Sequence, residues 1–307
     1  MAQIFGEFHY QQILFLATFM PNPNVDRHGV PHINRQLLGW FLWFVKGYLN
    51  KHFHAIAINR QSLQAINISD SDALVVYANH ASWWDPLTAI YLSQSLFPHF
   101  AMYAPIDADA LAKYRMFGRM GFFGVEQQSL RGASDFLKVA NEILRRPAAS
   151  LWLTPEGRFA DVRDQSAELM PGLAHLAWKL ASRQQPESDF VGPRTATVRV
   201  WFLPVAVEYT FWEERHPELL VWFGQPIDVA QLTRLSKPDI ALDLTNRLRA
   251  AQRELAQASM ARDVSPFDVI GSGRGGTFFI YDWWHKLTAK LSGRQRSKNH
   301  GQKFNSN

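Results

Sequence analysis

The sequence predicts an α/β protein: a mixed, layered sheet flanked by helices, with interfacial helices at the N- and C-terminal ends. Two observations carry the central prediction. Short apolar runs without alternation, such as Ala73–Ala78 and Ser150–Leu153, read as strands buried on both faces. Between them lie segments with helical spacing, such as Arg131–Arg146, where Phe136, Leu137, Ala140, Ile143 and Leu144 recur on one side and Pro147 ends the pattern. Alternation of the two kinds of element points to helices layered on a sheet. A composition of 47% hydrophobic and 19% charged residues in a chain of 307 supports a folded protein with a sizeable core.

The chain contains no cysteine, which excludes disulfide frameworks and thiolate metal sites. Its net charge of +5 is uneven. From Gly271 onward seven Lys or Arg face Asp282 alone, so the basic character belongs to the C-terminal end and residues 1–270 are close to neutral. No stretch reaches the roughly 18 to 20 consecutive apolar residues of a spanning helix. The first twenty residues lack the charged start and small-residue cleavage site of a secretory signal. Neither a transmembrane span nor an export signal is expected.

In order, Met1–Met20 is apolar and aromatic without clean periodicity, and Pro21-Asn22-Pro23-Asn24 closes it as a loop. From Asn34 to Asn50, Leu37, Phe41, Phe44, Val45 and Tyr48 fall at helical spacing, with Trp40, Trp43, Arg35, Lys46 and Lys51 around them. Tryptophan beside basic residues suits a helix at a membrane interface, and a helix packed on the protein's own core explains the same pattern. Phe53–Ile58 reads as a first strand. It starts at a His52-x-His54 pair with no third ligand in sight, so a metal site is not expected.

Ala73–Ala78 leads into Asn79-His80-Ala81-Ser82-Trp83-Trp84-Asp85-Pro86, where Asp85 is placed to cap a helix and Pro86 to begin it. His80 therefore belongs on a turn between strand and helix, where Asp85 can meet its imidazole. A carboxylate on one ring nitrogen fixes the tautomer and leaves the other nitrogen free to take a proton near neutral pH. A strand at Phe100–Tyr103 and a helix over Asp107–Phe117 follow. Gly118–Glu126 then mixes glycine with large apolar residues, the composition of a sharp bend or of a backbone that approaches a ligand.

Ser150–Leu153 runs into Thr154-Pro155-Glu156-Gly157-Arg158, so a carboxylate and a guanidinium emerge at a strand's end, where open α/β sheets bind ligands. Arg158 has the geometry to clamp a phosphate or carboxylate. Val198–Tyr209 is a long strand whose Pro204 implies an edge, a bulge or a strand end. Leu219–Phe223 is another strand, Ile240–Met260 a helix with an apolar face, and Gly271–Gly276 a flexible linker. Beyond it Phe279, Trp283, Leu287 and Leu291 share one helical face and Lys286, Lys290 and Arg294 another, as in a helix drawn to anionic lipid. The chain thus divides into 1–50, an N-terminal membrane-interface helical region; 51–265, the α/β domain; and 271–307, a linker, basic amphipathic helix and disordered tail.

A strand followed by Asn-His-x4-Asp, a glycine-aromatic segment, Pro-Glu-Gly with arginine, and a Pro-Val strand, in this order over roughly residues 50–210, resembles the glycerolipid acyltransferase family. The resemblance implies an α/β enzyme, peripheral on the cytoplasmic face of a membrane. It would move a fatty acyl group from acyl-CoA or acyl-carrier protein to a lipid hydroxyl. No bound cofactor, metal or nucleic acid is implied. His80 would be the general base and Asp85 its orienting carboxylate. Glu156, Gly157 and Arg158 would fall in the acceptor-binding block, with Arg131 and Arg163 as further candidates, and Pro204 and Val205 in the last block. Backbone N–H groups near the His80 turn or in the Gly157 turn would stabilise the oxyanion. With no cysteine and no Gly-x-Ser-x-Gly elbow, direct transfer is the simpler expectation.

Two departures bear on the acceptor. Where phosphate-using members carry an arginine after the glycine-aromatic block, this chain reads Val125-Glu126-Gln127. Where they carry Glu-Gly-x-Arg, it has the shorter Glu156-Gly157-Arg158. A neutral or glycosylated lipid alcohol therefore stands beside a lysophospholipid as acceptor. A non-catalytic lipid-binding member of the fold is the remaining alternative.

Overall fold

The computed structural model describes residues 24–59, 68–184 and 198–273. The N-terminal stretch up to Pro23, the linker from Arg274, the basic amphipathic helix and the tail lie outside the described residues.

The chain enters through helix α1 (Arg35–His52), capped by the Asn34 side chain on the Leu37 N–H, and strand β1 (Ala55–Asn59). Then come β2 (Ala73–Ala78), α2 (Asp85–Leu96), β3 (Ala101–Asp107), α3 (Ala108–Lys113) and β4 (Phe122–Val125). They are followed by α4 (Leu130–Ile143), β5 (Ala149–Leu153), α5 (Pro171–Gln184), β6 (Val200–Thr210), β7 (Glu218–Phe223) and the short β8 (Ile227–Asp228). The last elements are α6 (Lys237–Ala261) and β9 (Phe267–Ser272). Among the described residues these strands form one nine-stranded sheet in the order β4-β3-β5-β2-β6-β7-β1-β9, with β8 against β6. The predicted α/β sandwich is what forms.

Strands β2 to β6 run parallel, β7 is antiparallel to β6, β1 is parallel to β7, and β9 is antiparallel to β1. This topology brings the carboxyl ends of β2, β3, β4, β5, β6 and β9 to one sheet edge, together with the amino ends of β1 and β7. Strand β2 shows why both faces are apolar. Leu74 and Val76 enter one core with Phe41, Val45 and Leu49 of α1 and Ile90 of α2. Val75 and Tyr77 enter the other with Ile143 of α4, Leu176 of α5 and Leu244 and Leu248 of α6. Side chains of period 2 on the strand thus feed two helical layers.

Two details differ from the sequence reading, and a third is decided between its alternatives. Gly271 and Ser272 are strand residues, because β9 pairs with β1 and extends the sheet past residue 265. Pro204 is neither at an edge nor at a strand end: it lies inside β6, paired with Tyr77 of β2. Its carbonyl accepts the Gly224 N–H on the opposite flank, at the place where β6 exchanges β8 (Trp201 and Phe202) for β7 (Val205 onward). The absent proline N–H falls at that junction, where no ladder bond is lost. In the glycine-aromatic segment, Gly121 has φ +102° and a Cβ there would run into the Met102 carbonyl, so this glycine serves a sharp bend against β3.

At the amino ends of β1 and β7, buried His54 and Glu218 pair through Nδ1 and Oε1 at 2.8 Å. His52 instead packs, tilted, between the rings of Tyr48 and Trp84, so the two histidines diverge. The hydrogen bond to Glu218, working against desolvation, raises the pKa of His54 above the ordinary imidazole value. A folded-state value above the unfolded one makes the pair's stabilisation complete below about pH 6.5 and drains it as pH rises through the raised value. Thermal unfolding midpoints of the parent and His54→Gln proteins should therefore differ most near the acid end of a pH 6 to 9 series (order-of-magnitude limits set by the histidine range) and converge toward the alkaline end. A constant difference across that series would contradict this assignment.

Candidate active site

The site begins where β2 leaves the sheet. Ala78 is the last β2 residue paired with β6, opposite Val205. Asn79, 1% exposed, then substitutes its side chain for the backbone ladder: Oδ1 accepts the Val207 N–H at 2.8 Å and Nδ2 donates to the Val207 carbonyl at 3.0 Å. The main chain is free to turn while the register with β6 is kept. That is the physical use of asparagine directly before the histidine.

His80 is then held on every side but one. Its backbone N–H donates to Glu156 Oε2 at 2.7 Å, its carbonyl accepts the Ala160 N–H at 2.9 Å, and Phe159 packs on its ring at 4.5 Å between centroids. Its Nδ1 lies 2.6 Å from Asp85 Oδ2. A carboxylate only accepts, so Nδ1 carries the proton and Nε2 keeps its lone pair. The side chain is 21% exposed against 7% for Asp85, which leaves the imidazole as the reachable member.

Asp85 is the first residue of α2 rather than its cap. Its carboxylate turns back from the helix: Oδ2 also accepts the Ser82 N–H at 3.1 Å, as the far half of a capping box does, and Oδ1 accepts the Tyr209 hydroxyl at 2.7 Å. Pro86, in the first turn, lacks a donor the helix has no use for.

The second turn, after β5, closes with the Gly157 N–H on the Thr154 carbonyl at 3.1 Å. Gly157 adopts φ +63°, a left-handed conformation costly for any residue with a side chain. Glu156 is the main correction to the sequence reading. It is buried, and both oxygens are spent inside the protein: Oε2 on the His80 N–H, Oε1 on Arg249 Nη1 at 2.9 Å. Both oxygens point into the protein, one to the His80 turn and one to α6. Arg249 comes from the buried face of α6 and also donates to the Ala167 carbonyl and to Gln252 Oε1. Gln252 in turn donates to the Val162 carbonyl at 3.0 Å. Helix α6 therefore straps the loop from Glu156 to Ala167 against the His80 turn.

The three candidate arginines separate. Arg131 is 86% exposed on α4 and sits near Asp135, 3.8 Å away, with nothing among the described residues joining it to His80. Arg163 is committed to Glu208 of β6 at 2.6 Å, and burial still pushes the Glu208 carboxyl above the usual range. Arg158, next to Phe159 on the His80 loop, is exposed; among the described residues it makes no hydrogen bond or ion pair and feels only the longer-range attraction of Asp164. Three amides of the His80 and Gly157 turns are likewise occupied: His80 N–H by Glu156, Ser82 N–H by Asp85 and Gly157 N–H by Thr154. They build the site.

Sequence reasoning missed Tyr209, Arg249 and Asn79's ladder role. Arg249 gave no periodic signal: next to Leu248 in sequence, it lies about 100° around α6 from the stripe of Leu244, Leu248 and Leu255, and only packing shows it buried.

Chemically, the arrangement offers an imidazole of fixed tautomer at the carboxyl ends of the sheet's parallel strands, able to take a proton from a hydroxyl and return it to a leaving group. A comparison with curated proteins finds no match. The family model described as Acyltransferase matches residues 57–208, from within β1 to within β6, and so spans His80, Asp85 and the Glu156 turn. On that match, and with the ordered blocks folded around one edge of the sheet, the chain belongs to the glycerolipid acyltransferase family.

Proposed function

We propose that this acyltransferase moves a fatty acyl group from an acyl-CoA or acyl-carrier-protein thioester to the hydroxyl of a lipid at a membrane surface, with His80 as general base. The observation that carries this reading is the 2.6 Å contact between His80 Nδ1 and Asp85 Oδ2. As the acceptor hydroxyl attacks the thioester carbonyl, Nε2 takes its proton and Asp85 stabilises the imidazolium. The tetrahedral intermediate then expels the thiolate, and His80 returns the proton to sulfur. The C–S bond breaks, the ester C–O bond forms, and no acyl-enzyme is required. The intact pair and its dense support argue against a non-catalytic lipid-binding role.

The membrane part rests on exposed aromatic residues. Leu38, Phe41, Val45 and Leu49 of α1 face the core, while Trp40 and Trp43 are 43% and 71% exposed alongside Lys46 and Lys51. Trp83, Phe159 and Phe211, all exposed, rim the sheet edge that holds His80. Indole and basic side chains together suit the lipid–water boundary. Among the described residues no helix is long and apolar enough to cross a membrane.

The test is transfer of labelled acyl groups from acyl-CoA and from acyl-carrier protein to lysophospholipid, neutral glyceride and glycosylated lipid alcohols presented in vesicles. Product with none of them would overturn the proposal. Because Arg158 is exposed and has no ion-pair partner among the described residues, an acceptor phosphate has a cation to meet despite Glu126. Arg158→Ala is expected to raise KM about tenfold or more for a phosphate-bearing acceptor, the worth of one charged hydrogen bond, and to leave KM for neutral acceptors unchanged. Equal KM values in parent and variant for the phosphate-bearing acceptor would remove Arg158 from the acceptor site.

A further inference from the structure

Asp85 has two oxygens, and the hydrogen bonds around it leave neither free to move. Oδ2 faces His80 Nδ1 at 2.6 Å and the Ser82 N–H at 3.1 Å; Oδ1 receives the Tyr209 hydroxyl at 2.7 Å. The Tyr209 oxygen lies 3.0 Å from Thr88 Oγ1. A phenol has one proton, and since the carboxylate only accepts, that proton goes to Asp85 and the Thr88 hydroxyl donates to Tyr209. Resting on the reading of His80 as base, we propose that Tyr209 is a positioning residue of the catalytic pair. Its hydroxyl anchors Asp85 Oδ1 so that Oδ2 stays on the imidazole, and it draws charge from the carboxylate that faces His80.

Several independent features converge on this role. Tyr209 lies one residue beyond the span matched by the family model. Its reach over α2 is set by the Asn79 side chain, which locks Val207, two residues earlier on the same face of β6, to the start of the His80 turn. Phe53 packs against its ring at 5.7 Å. Burial of the phenol, with Asp85 beside it, holds its pKa well above the ordinary value, so it remains a donor throughout the working range. The other charged groups around the cluster are Glu156 on the His80 N–H, Arg158 on the adjoining loop, and the His54–Glu218 pair on the neighbouring strands. None of these touches Asp85.

Tyr209→Phe keeps the ring and deletes the donor. Asp85 Oδ1 is then left without its partner, the carboxylate holds the imidazolium proton more tightly, and the base is free only at higher pH. The acid limb of the kcat/KM profile is expected to move up by about half to one pH unit, a fraction of one hydrogen bond to a charged group, since the imidazole feels the lost donor only through Asp85. KM for donor and acceptor should change less than about twofold, since the hydroxyl meets no substrate. NMR titration of labelled histidine, with the His80 signal assigned by its loss in His80→Gln, should show the same upward move without any need for activity. If His80→Gln abolishes transfer while the Tyr209→Phe profile and titration superimpose on the parent's, the Tyr209 role falls and the base reading stands. A lowered unfolding midpoint with an unmoved titration would also overturn it, as the mark of a purely structural residue. If His80→Gln transfers normally, the base reading itself is lost.

Discussion

Replacing His80 by glutamine is expected to lower kcat for acyl transfer by about 10² to 10⁴-fold, the range that a positioned general base supplies, while leaving the fold intact. The structure makes this a clean chemical test. Residue 80 keeps two backbone bonds, to Glu156 and Ala160, that do not involve the imidazole. Asp85 keeps the Ser82 N–H and the Tyr209 hydroxyl when the histidine is gone. Its buried charge is therefore still solvated by two donors, and a large loss of stability is not expected. An alcohol is a weak nucleophile at neutral pH, so without Nε2 the attack has no acceptor for its proton. Single-turnover transfer from labelled acyl thioester, beside the unfolding midpoint, separates the two effects. A variant that transfers within tenfold of the parent rate would exclude His80 as the base.

Arg249→Ala is expected to destabilise the protein by about 3–5 kcal/mol, the usual cost of removing one partner from a buried ion pair. The side chains of Arg249 and Glu156 are 5% and 1% exposed, and the guanidinium holds the Ala167 carbonyl and Gln252 as well. Its removal leaves the Glu156 carboxylate buried with the His80 N–H as its remaining donor. Adding Glu156→Gln should recover part of the loss, since a neutral amide still accepts that N–H without an uncompensated charge. Denaturant midpoints for the two single variants and the double variant measure the coupling. A cost below about 1 kcal/mol for Arg249→Ala, the value of an exposed pair, would show that the strap from α6 is dispensable.

Both predictions concern one architectural point: the residues that perform the chemistry are local in sequence, and those that hold them are not. His80 and Asp85 stand five residues apart on a strand–turn–helix connection. An apolar run, a polar break and Asp-Pro suffice to read that connection, because strand ends and helix starts are decided by neighbouring residues. The alternation of buried runs and amphipathic segments likewise foretold the layered sheet.

The boundary errors have physical causes of the same kind. Gly271 and Ser272 read as linker because glycine and serine disfavour strands, and pairing with β1 overrides that preference. Pro204 read as an edge signal because a proline usually costs a ladder bond, a cost that vanishes where a strand changes neighbours. Asp85 read as a cap because Asp-Pro commonly opens helices, whereas here the carboxylate was drawn back to an imidazole, an amide and a phenol.

The sequence by itself determined the fold class, the order of the blocks and the His80–Asp85 turn, since each depends on the periodicity or spacing of adjacent residues. Only the tertiary structure decided that Glu156 faces inward to the His80 amide, that Arg249 neutralises it, that Arg163 is spent on Glu208 while Arg158 has no ion-pair partner among the described residues, and that Tyr209 sits on Asp85. These partners lie 76, 93, 45 and 124 residues apart along the chain. Their meeting is set by sheet register and by the face α6 turns to the core. Hydrophobic periodicity reveals which face is buried, but a buried polar group finds its partner through packing, which leaves no spacing for a sequence to display.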